Sequence, residues 1–245
     1  MGLLNTIFSS ILNMVFPVKC VSCGKNGRDF CIKCLSDSPP AERETAKWIF
    51  PLYDYRHPPI KKALWLFKYK GKKRLASIFA EVLYGKIVEE LSELSVMENF
   101  RNVILIPIPL SAKRYRERGY NQAELICKEL IKINNLRRLP AEAPPTNWRA
   151  GLAKEGSVCL KLKNNILIKP KDTEHQARIL NRAERLKNII GSFSIKNAKE
   201  NISLIKGRNI ILIDDITTTS ATLNEARKIL KQAGARKVIA FTVAH

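Results

Sequence analysis

The feature that most constrains the fold is an apolar run followed by two acids, close to the C-terminus. Ile210 to Ile213 are four apolar residues in succession, which predicts a strand buried on both faces, as in a parallel sheet. Asp214 and Asp215 follow directly, then a hydroxyl-rich turn, and Ala221 to Ala233 has the apolar spacing of a helix. The predicted order is therefore strand, acidic pair, anion-binding turn and helix.

This order of elements indicates a sugar-phosphate site. Backbone N–H groups in the turn and at the helix N-terminus converge on one spot, and the helix dipole favours a dianionic phosphate there. Asp214 and Asp215 are badly placed against phosphate but well placed to accept hydrogen bonds from ribose hydroxyls. The alternative is an ordinary helix cap. The predicted phosphate-binding residues are Thr218, Thr219, Ser220, Ala221 and Thr222.

A second apolar run, Val103 to Leu110, predicts the first core strand and a stiff Pro-rich turn. The basic segment Lys113 to Gln122 follows and is predicted to be a loop that opens a helix from Ala123 to Ile133. Guanidinium groups beside a helix N-terminus suit pyrophosphate, whereas the alternative is an exposed basic turn. The predicted pyrophosphate-binding residues are Pro107, Pro109, Arg114 and Arg118.

Two CxxC pairs near the N-terminus predict a metal site. Two such turns separated by a short Gly-containing loop can place four sulfurs around Zn²⁺. The alternatives are disulfides, which require an oxidising compartment, and a redox motif, which does not require a second copy. A site with four protein ligands is closed, so the zinc is expected to be structural. The predicted metal ligands are Cys20, Cys23, Cys31 and Cys34.

The charge of the chain indicates polyanionic partners. Lys and Arg number 43 against 22 Asp and Glu, a net charge of +21, which favours nucleic acid, nucleotides, pyrophosphate or an anionic membrane surface. The alternative is solvated helix faces. Ile60 to Gly71 interleaves basic and aromatic residues, a pattern compatible with base stacking, but Ile60, Leu64 and Phe67 share a helical face and favour packing in the core.

Residues 1–18 carry no charged side chain and have apolar residues at helical spacing. They lack a basic segment and a small-residue cleavage site, which argues against a signal peptide, and they are too short and amphipathic for a membrane span. We expect a helix that docks on the protein's own core, with membrane-surface contact as the alternative. The expected location is cytoplasmic, with membrane association as the variant, and no transmembrane span is predicted.

Together these landmarks resemble the ComF family (ComFC/GntX-like), whose acid-and-threonine motif is similar to the phosphoribosyl-pyrophosphate (PRPP) motif of type I phosphoribosyltransferases. This chain has Ser220 where that motif usually has Gly. The other landmarks are the four cysteines, Phe67 to Gly71, Pro107 to Leu110, Arg118 to Gln122, and Gln176 with Arg182 to Arg185.

The resemblance implies an α/β fold: a type I phosphoribosyltransferase-like parallel sheet flanked by helices, over residues 48–245 with an irregular insert at 134–165. A zinc-bearing region, residues 1–47, would precede it. In that fold Asp214 and Asp215 hold the ribose hydroxyls of PRPP, residues 218–222 hold the 5′-phosphate, and residues 107–118 hold the pyrophosphate with Mg²⁺. A lid would contain Gln176, Arg182 and Arg185.

The resemblance also implies a role in uptake of transforming DNA during competence, with PRPP or a related sugar phosphate and proteins of the competence machinery as partners. Two functions remain open. The protein is an enzyme that transfers the pentosyl group of PRPP and releases pyrophosphate, or it is a non-catalytic accessory that binds single-stranded DNA through its basic surface. In the second case the PRPP site is a sensor or relic. The acid pair favours the first function, whereas Ser220 and the net charge of +21 favour the second.

Overall fold

The computed structural model describes residues 18–41, 46–98, 100, 102–138, 159–170 and 191–245. Residues 1–17 of the predicted N-terminal helix and the predicted lid residues Gln176, Arg182 and Arg185 lie outside the described residues. The described elements are, in order, α1 (Ile32–Ser36), β1 (Ile49–Tyr53), α2 (Pro58–Tyr69), α3 (Leu75–Glu98), β2 (Val103–Pro107), α4 (Ala112–Arg118), α5 (Gln122–Arg138), β3 (Leu160–Leu162), β4 (Leu167–Ile168), β5 (Ser194–Ile195), α6 (Ala198–Ile205), β6 (Asn209–Ile216), α7 (Ala221–Gln232) and β7 (Lys237–Ala244).

Five strands form one parallel sheet in the order β1-β7-β6-β2-β3. The strand predicted from Ile210 to Ile213 is its centre, β6, which pairs with β2 on one side and β7 on the other. All four of these apolar side chains are fully buried, which confirms the prediction of burial on both faces. The predicted parallel α/β sheet is therefore confirmed.

The two faces of the sheet bury two separate cores. Ile211 and Ile213 contribute to a cluster with residues of α2, α3 and α5, including Phe67 and Phe79. Ile210 and Leu212 face the other way, towards a cluster that contains residues of α6 and α7. Because successive side chains of a strand alternate between faces, one strand can serve both cores.

The N-terminal half differs from the prediction at one strand. Val103 to Leu110 was predicted to contain the first core strand, but Ile49–Tyr53 forms an earlier strand, β1, at the edge of the sheet. Its partner is β7, with Ile49 opposite Ala240. This partner lies far away in the sequence, so local periodicity carries no sign of the pairing. The prediction that Ile60, Leu64 and Phe67 face the core is confirmed, since all three are fully buried.

The predicted irregular insert 134–165 is corrected at both ends. Helix α5 continues to Arg138, and Leu160–Leu162 forms the edge strand β3, parallel to β2. The helix α6 was also not predicted. The three-residue strand β3 is too short to show the alternation of apolar and polar residues from which strands are recognised. It is a strand because it pairs with β2.

Beyond the main sheet, Leu167–Ile168 and Ser194–Ile195 pair antiparallel as β4 and β5. Among the helices of the described chain, none combines the length and the apolar character that crossing a membrane requires.

Candidate functional site

A cleft of about 180 Å³ opens at the carboxyl ends of the neighbouring strands β2 and β6. Both predicted anion-binding segments reach it. Pro107 does not line the cleft, because it ends β2 and pairs with Ile213 inside the sheet. The predicted residues that do line the cleft are Asp214, Asp215, Thr218, Thr219, Ser220, Ala221, Thr222, Pro109, Arg114 and Arg118.

The two acids lie within the last residues of β6 rather than after it. Asp215 is buried, and Asp214 is half-buried and accepts a hydrogen bond from the backbone N–H of Asp215 at 2.8 Å. Burial, together with the neighbouring carboxylate of Asp215, raises the pKa of Asp214 to about 7, against the opposing effect of Lys68 and Lys169. Two adjacent acids therefore share the floor of the cleft at a cost in charge repulsion.

The cation that balances this pair comes from a different part of the chain. Lys68, near the end of α2, lies with its Nζ 3.1 Å from Oδ1 of Asp215, and both side chains are largely shielded from solvent. Lys68 was not among the predicted site residues, although it lies in the basic and aromatic segment Ile60 to Gly71 and in the Phe67 to Gly71 landmark. Its position four residues after the buried Leu64 was the available signal, since such a lysine lies beside the core face.

The turn after β6 is held by backbone rather than by side-chain caps. Thr217 donates its N–H to the carbonyl of Ala244 at 3.0 Å, which ties the turn to β7. Ser220 has a left-handed backbone, φ +57°, at the N-cap position of α7, and within the described chain its side chain makes no capping hydrogen bond. The start of α7 therefore has no side-chain cap from Ser220. The conformation also explains why Gly suits this position, because a left-handed backbone is strained for other residues.

The basic segment after β2 forms a short helix, α4, rather than the predicted loop. The Ser111 hydroxyl accepts a hydrogen bond from the Arg114 N–H at 3.4 Å, which caps its start, and Gly119 at φ +74° ends it. The guanidinium of Arg118 donates to Oε1 of Gln122 at 3.0 Å and lies 5.3 Å from the Tyr69 ring centroid. This arrangement holds Arg118 at the wall of the cleft.

The cleft carries more positive than negative charge. Its lining contains four basic side chains and the two aspartates, a formal balance of +2. Lys169, which follows β4, was not among the predicted residues. A cleft lined by cations, two acids and a hydroxyl-rich turn can accept a polyanion that also has hydroxyl groups. The basic residues of the lining are Lys68, Arg114, Arg118 and Lys169.

The four predicted metal ligands converge in one cluster, and none of them lines the cleft. Their sulfur atoms all lie within 4.8 Å of one another, and the Sγ atoms of Cys23 and Cys31 are 3.7 Å apart. A tetrahedral zinc thiolate site has sulfurs separated by about 3.8 Å, so the cluster fits zinc. Burial opposes ionisation of Cys20, but backbone hydrogen bonds from Cys31, Cys23 and Ser22 outweigh it and lower its pKa to about 6. We call residues 18–41 the knuckle.

Comparison with known proteins agrees with this geometry. The phosphoribosyl transferase domain family matches residues 169–245, which contain β6, the turn and α7. Competence protein F of Haemophilus influenzae is 25% identical over 91% of this chain and 82% of its own length. Competence protein ComFC of Bacillus subtilis is 31% identical over 75% of this chain and 59% of its own length. The DNA utilization protein YhgH of Escherichia coli K12 is 23% identical over 85% of this chain and 74% of its own length.

Solved structures overlay only loosely. Phosphoribosylpyrophosphate synthetase from Mycobacterium smegmatis shares 17% identity over 66% of this chain and 33% of that chain, with a TM-score of 0.30. Hypoxanthine phosphoribosyltransferase from Trypanosoma cruzi shares 10% identity over 69% of this chain and 67% of that chain, with a TM-score of 0.35. At these TM-scores the overlays with solved structures carry no argument about this chain.

Proposed function

Because the chain belongs to the ComF family of phosphoribosyltransferase-like proteins, we propose that its cleft binds PRPP and Mg²⁺ and that the protein serves a competence-linked handling of DNA. One observation carries the PRPP proposal: an acid pair, a hydroxyl-rich turn and four basic side chains line a single cleft at adjacent strand ends. The competence link comes from the names of the relatives.

Each part of PRPP has a matching group in the cleft. The turn from Thr218 to Thr222, at the N-terminus of α7, suits the 5′-phosphate, because backbone N–H groups and the helix dipole favour a dianion. Asp214 and Asp215 suit the ribose hydroxyls, which donate hydrogen bonds. Arg114 and Arg118 suit the pyrophosphate.

Lys68 has two roles in this proposal. It keeps Asp215 paired in the free protein, at 3.1 Å, and it adds positive charge close to where the ribose and pyrophosphate meet. Mg²⁺ fits a site that offers the carboxylates of Asp214 and Asp215 beside phosphate oxygens, since it prefers oxygen ligands. When bound, Mg²⁺ neutralises charge on the pyrophosphate.

If the protein is an enzyme, the reaction is a displacement at C1 of the ribose. The bond from C1 to the pyrophosphate oxygen breaks, the pyrophosphate leaves with the electron pair, and a nucleophile of the acceptor forms the new bond to C1. Arg114, Arg118 and Lys68 stabilise charge on the leaving group, while the acid pair orients the ribose and stabilises positive charge that develops on it. Positioning and electrostatics supply the catalysis.

Isothermal titration calorimetry tests PRPP binding directly. Wild-type protein should bind PRPP in the presence of Mg²⁺, and the double variant Asp214→Asn, Asp215→Asn should lose that binding because the ribose hydroxyls lose their charged acceptors. Asp54→Asn is the matched control, since Asp54 contacts Arg56 outside the cleft. Absence of binding by the wild type, with Mg²⁺ present, would sink the proposal.

The second function, a single-stranded DNA accessory with a sensor or relic site, is favoured by the net charge of +21. The two functions differ in turnover. An enzyme releases pyrophosphate from PRPP when one member of a panel of nucleobases or nucleosides is added, whereas a sensor binds PRPP and releases none. DNA affinity that falls steeply with salt supports the accessory function, because phosphate contacts release counterions, and a flat salt dependence contradicts it.

A further inference from the structure

Helix α2 exposes two aromatic side chains on the face opposite the core. Trp65 is 47% exposed and Tyr69 is 58% exposed, while Leu64 and Phe67 on the inner face are fully buried. The two rings neighbour each other along the helix, with centroids 6.4 Å apart and planes inclined by 50°. A tryptophan and a tyrosine this exposed on one helix face leave aromatic surface in contact with water.

Basic side chains surround these rings. The ammonium group of Lys70 lies 5.3 Å from the Trp65 ring centroid, and the guanidinium of Arg118 lies 5.3 Å from that of Tyr69. Between Asp54 and Glu81 the sequence has no acidic residue and eight basic ones, namely Arg56, Lys61, Lys62, Lys68, Lys70, Lys72, Lys73 and Arg74. Three of these cations pair with acids, namely Arg56 with Asp54, Lys68 with Asp215 and Lys72 with Asp29. The excess of basic residues still favours anions on this part of the surface.

The exposed rings adjoin the cleft. Lys68 lies between Trp65 and Tyr69 in the sequence and reaches Asp215 inside the cleft. Arg118 contacts the Tyr69 ring on one side and lines the cleft on the other. A ligand that covers Tyr69 would therefore extend to the cleft wall.

We propose that this face of α2 binds single-stranded nucleic acid, with bases stacked on Trp65 and Tyr69 and phosphates held by Lys61, Lys62 and Lys70. We call these five residues the aromatic face. The inference rests on the DNA-binding part of the proposed function and gives it a location. Exposed rings interleaved with cations are what unpaired bases on a charged backbone require, whereas the bases of a duplex are already stacked on one another.

An anionic membrane is the competing partner, and the structure argues against it. Membrane-surface helices present a broad apolar stripe to the acyl chains. Here the apolar side chains Leu64 and Phe67 are buried in the core, so the outer face offers two rings among lysines.

The test compares two short fluorescent oligonucleotides of equal length, one of deoxythymidine and one with abasic sites, by anisotropy. Wild-type protein should bind the deoxythymidine strand at least about tenfold more tightly than the strand with abasic sites. Trp65→Ala should weaken binding of that strand by about tenfold and leave abasic binding unchanged, and Trp65→Phe should retain most of the affinity. Because Trp65 is exposed, the unfolding midpoint of both variants should equal that of the wild type.

Salt dependence separates stacking from charge. Trp65→Ala should shift the plot of log affinity against log salt without changing its slope, whereas Lys61→Ala and Lys62→Ala should each reduce the slope by about 1. Equal affinity for the two strands, or unchanged binding by Trp65→Ala, would overturn the inference. So would binding to vesicles with anionic headgroups that Trp65→Ala abolishes while oligonucleotide binding stays intact.

PRPP calorimetry on the same proteins keeps the two proposals apart. Trp65 does not line the cleft, so Trp65→Ala should bind PRPP as the wild type does. If the wild type binds PRPP but shows no base-dependent DNA binding, the proposal that the aromatic face binds DNA is wrong and the proposal of a PRPP site in the cleft stands. If base-dependent DNA binding is present and PRPP binding is absent, the proposal of a PRPP site in the cleft is wrong and the proposal that the aromatic face binds DNA stands.

Discussion

The knuckle and the cleft are both built from a few polar residues, but they relate to stability in opposite ways. In the knuckle, four thiols converge within 4.8 Å and only Cys20, Phe30 and Leu35 among the described apolar side chains of α1 and its flanks are buried in the core. We expect a segment with so little core to depend on a metal for its structure. In the cleft, the sheet already fixes the backbone, and the polar residues that it carries cost stability.

Two observations show this cost. Burial and the neighbouring Asp215 raise the pKa of Asp214 to about 7, so the free protein disfavours the charged acid pair. Ser220 adopts a left-handed backbone at φ +57°. Residues that destabilise a free protein are common at ligand sites. We therefore expect the knuckle to need metal in order to fold. The cleft should fold without PRPP, and bound PRPP should offset the unfavourable burial of its acid pair.

Loss of metal from the knuckle should have the largest effect. Cys23→Ser, or treatment with a chelator, should lower the free energy of unfolding by on the order of 5 kcal/mol, measured by urea titration, and proteases should then cut within residues 18–41. Untreated protein should contain about one zinc per chain by elemental analysis. Cys159→Ser, outside the cluster, is the control. Equal stability of metal-free and metal-loaded protein would show that the knuckle needs no ion.

Removal of Lys68 should have the next largest effect. Lys68→Met leaves Asp215 buried without its cation, which should lower the free energy of unfolding at pH 8 by about 2–3 kcal/mol. Lys62→Met on the exposed face of the same helix is the matched control and should change stability little. Thermal or urea unfolding measures both. Equal effects of the two substitutions would mean that the contact between Lys68 and Asp215 contributes nothing.

Asp214→Asn should stabilise the free protein, in a pH-dependent way. The folded chain holds the proton of Asp214 up to a pKa of about 7, whereas the unfolded chain releases it near 3.8. Stability from this group is therefore complete below pH 4 and is lost as pH rises to 7. Asn keeps the uncharged form, so the variant should match the wild type at pH 4 and exceed it at pH 8 by on the order of 2 kcal/mol. A difference that is the same at both pH values would refute this.

Ser220→Gly should have the smallest effect. Gly adopts a left-handed backbone without strain, so the variant should be more stable by about 0.5–1 kcal/mol, measured by urea unfolding. Asn197→Gly is a matched control at φ +45°, outside the cleft. Both substitutions should stabilise, but only Ser220→Gly should change PRPP affinity, which should rise. A loss of PRPP affinity on Ser220→Gly would indicate that the hydroxyl itself binds the phosphate.

The features that were predicted correctly from the sequence are those whose residues lie in one continuous segment of the chain. The strand, acids, turn and helix from Ile210 onwards follow one another, so their order alone predicts the geometry. The four cysteines are equally local. The edge strand β1 was missed because its partner, β7, lies almost the whole chain away.

Long-range contacts also explain what was missed in the site. Lys68 and Lys169 reach the cleft from α2 and from the residue after β4, two segments that lie far from the acid pair in the sequence. The left-handed backbone of Ser220 follows from how the turn joins β6 to α7, so only the structure explains why Gly is usual there. The short helix α4 was taken for a loop because it has no buried residue to give it a helical period.

The clearest test of PRPP binding in the cleft is a crystal structure with PRPP and Mg²⁺. We expect the ribose hydroxyls to lie within hydrogen-bond distance of the carboxylates of Asp214 and Asp215, with the 5′-phosphate against the backbone N–H groups of the turn from Thr218 to Thr222. A bound PRPP with its phosphate away from this turn, or acids that contact no ribose hydroxyl, would contradict it.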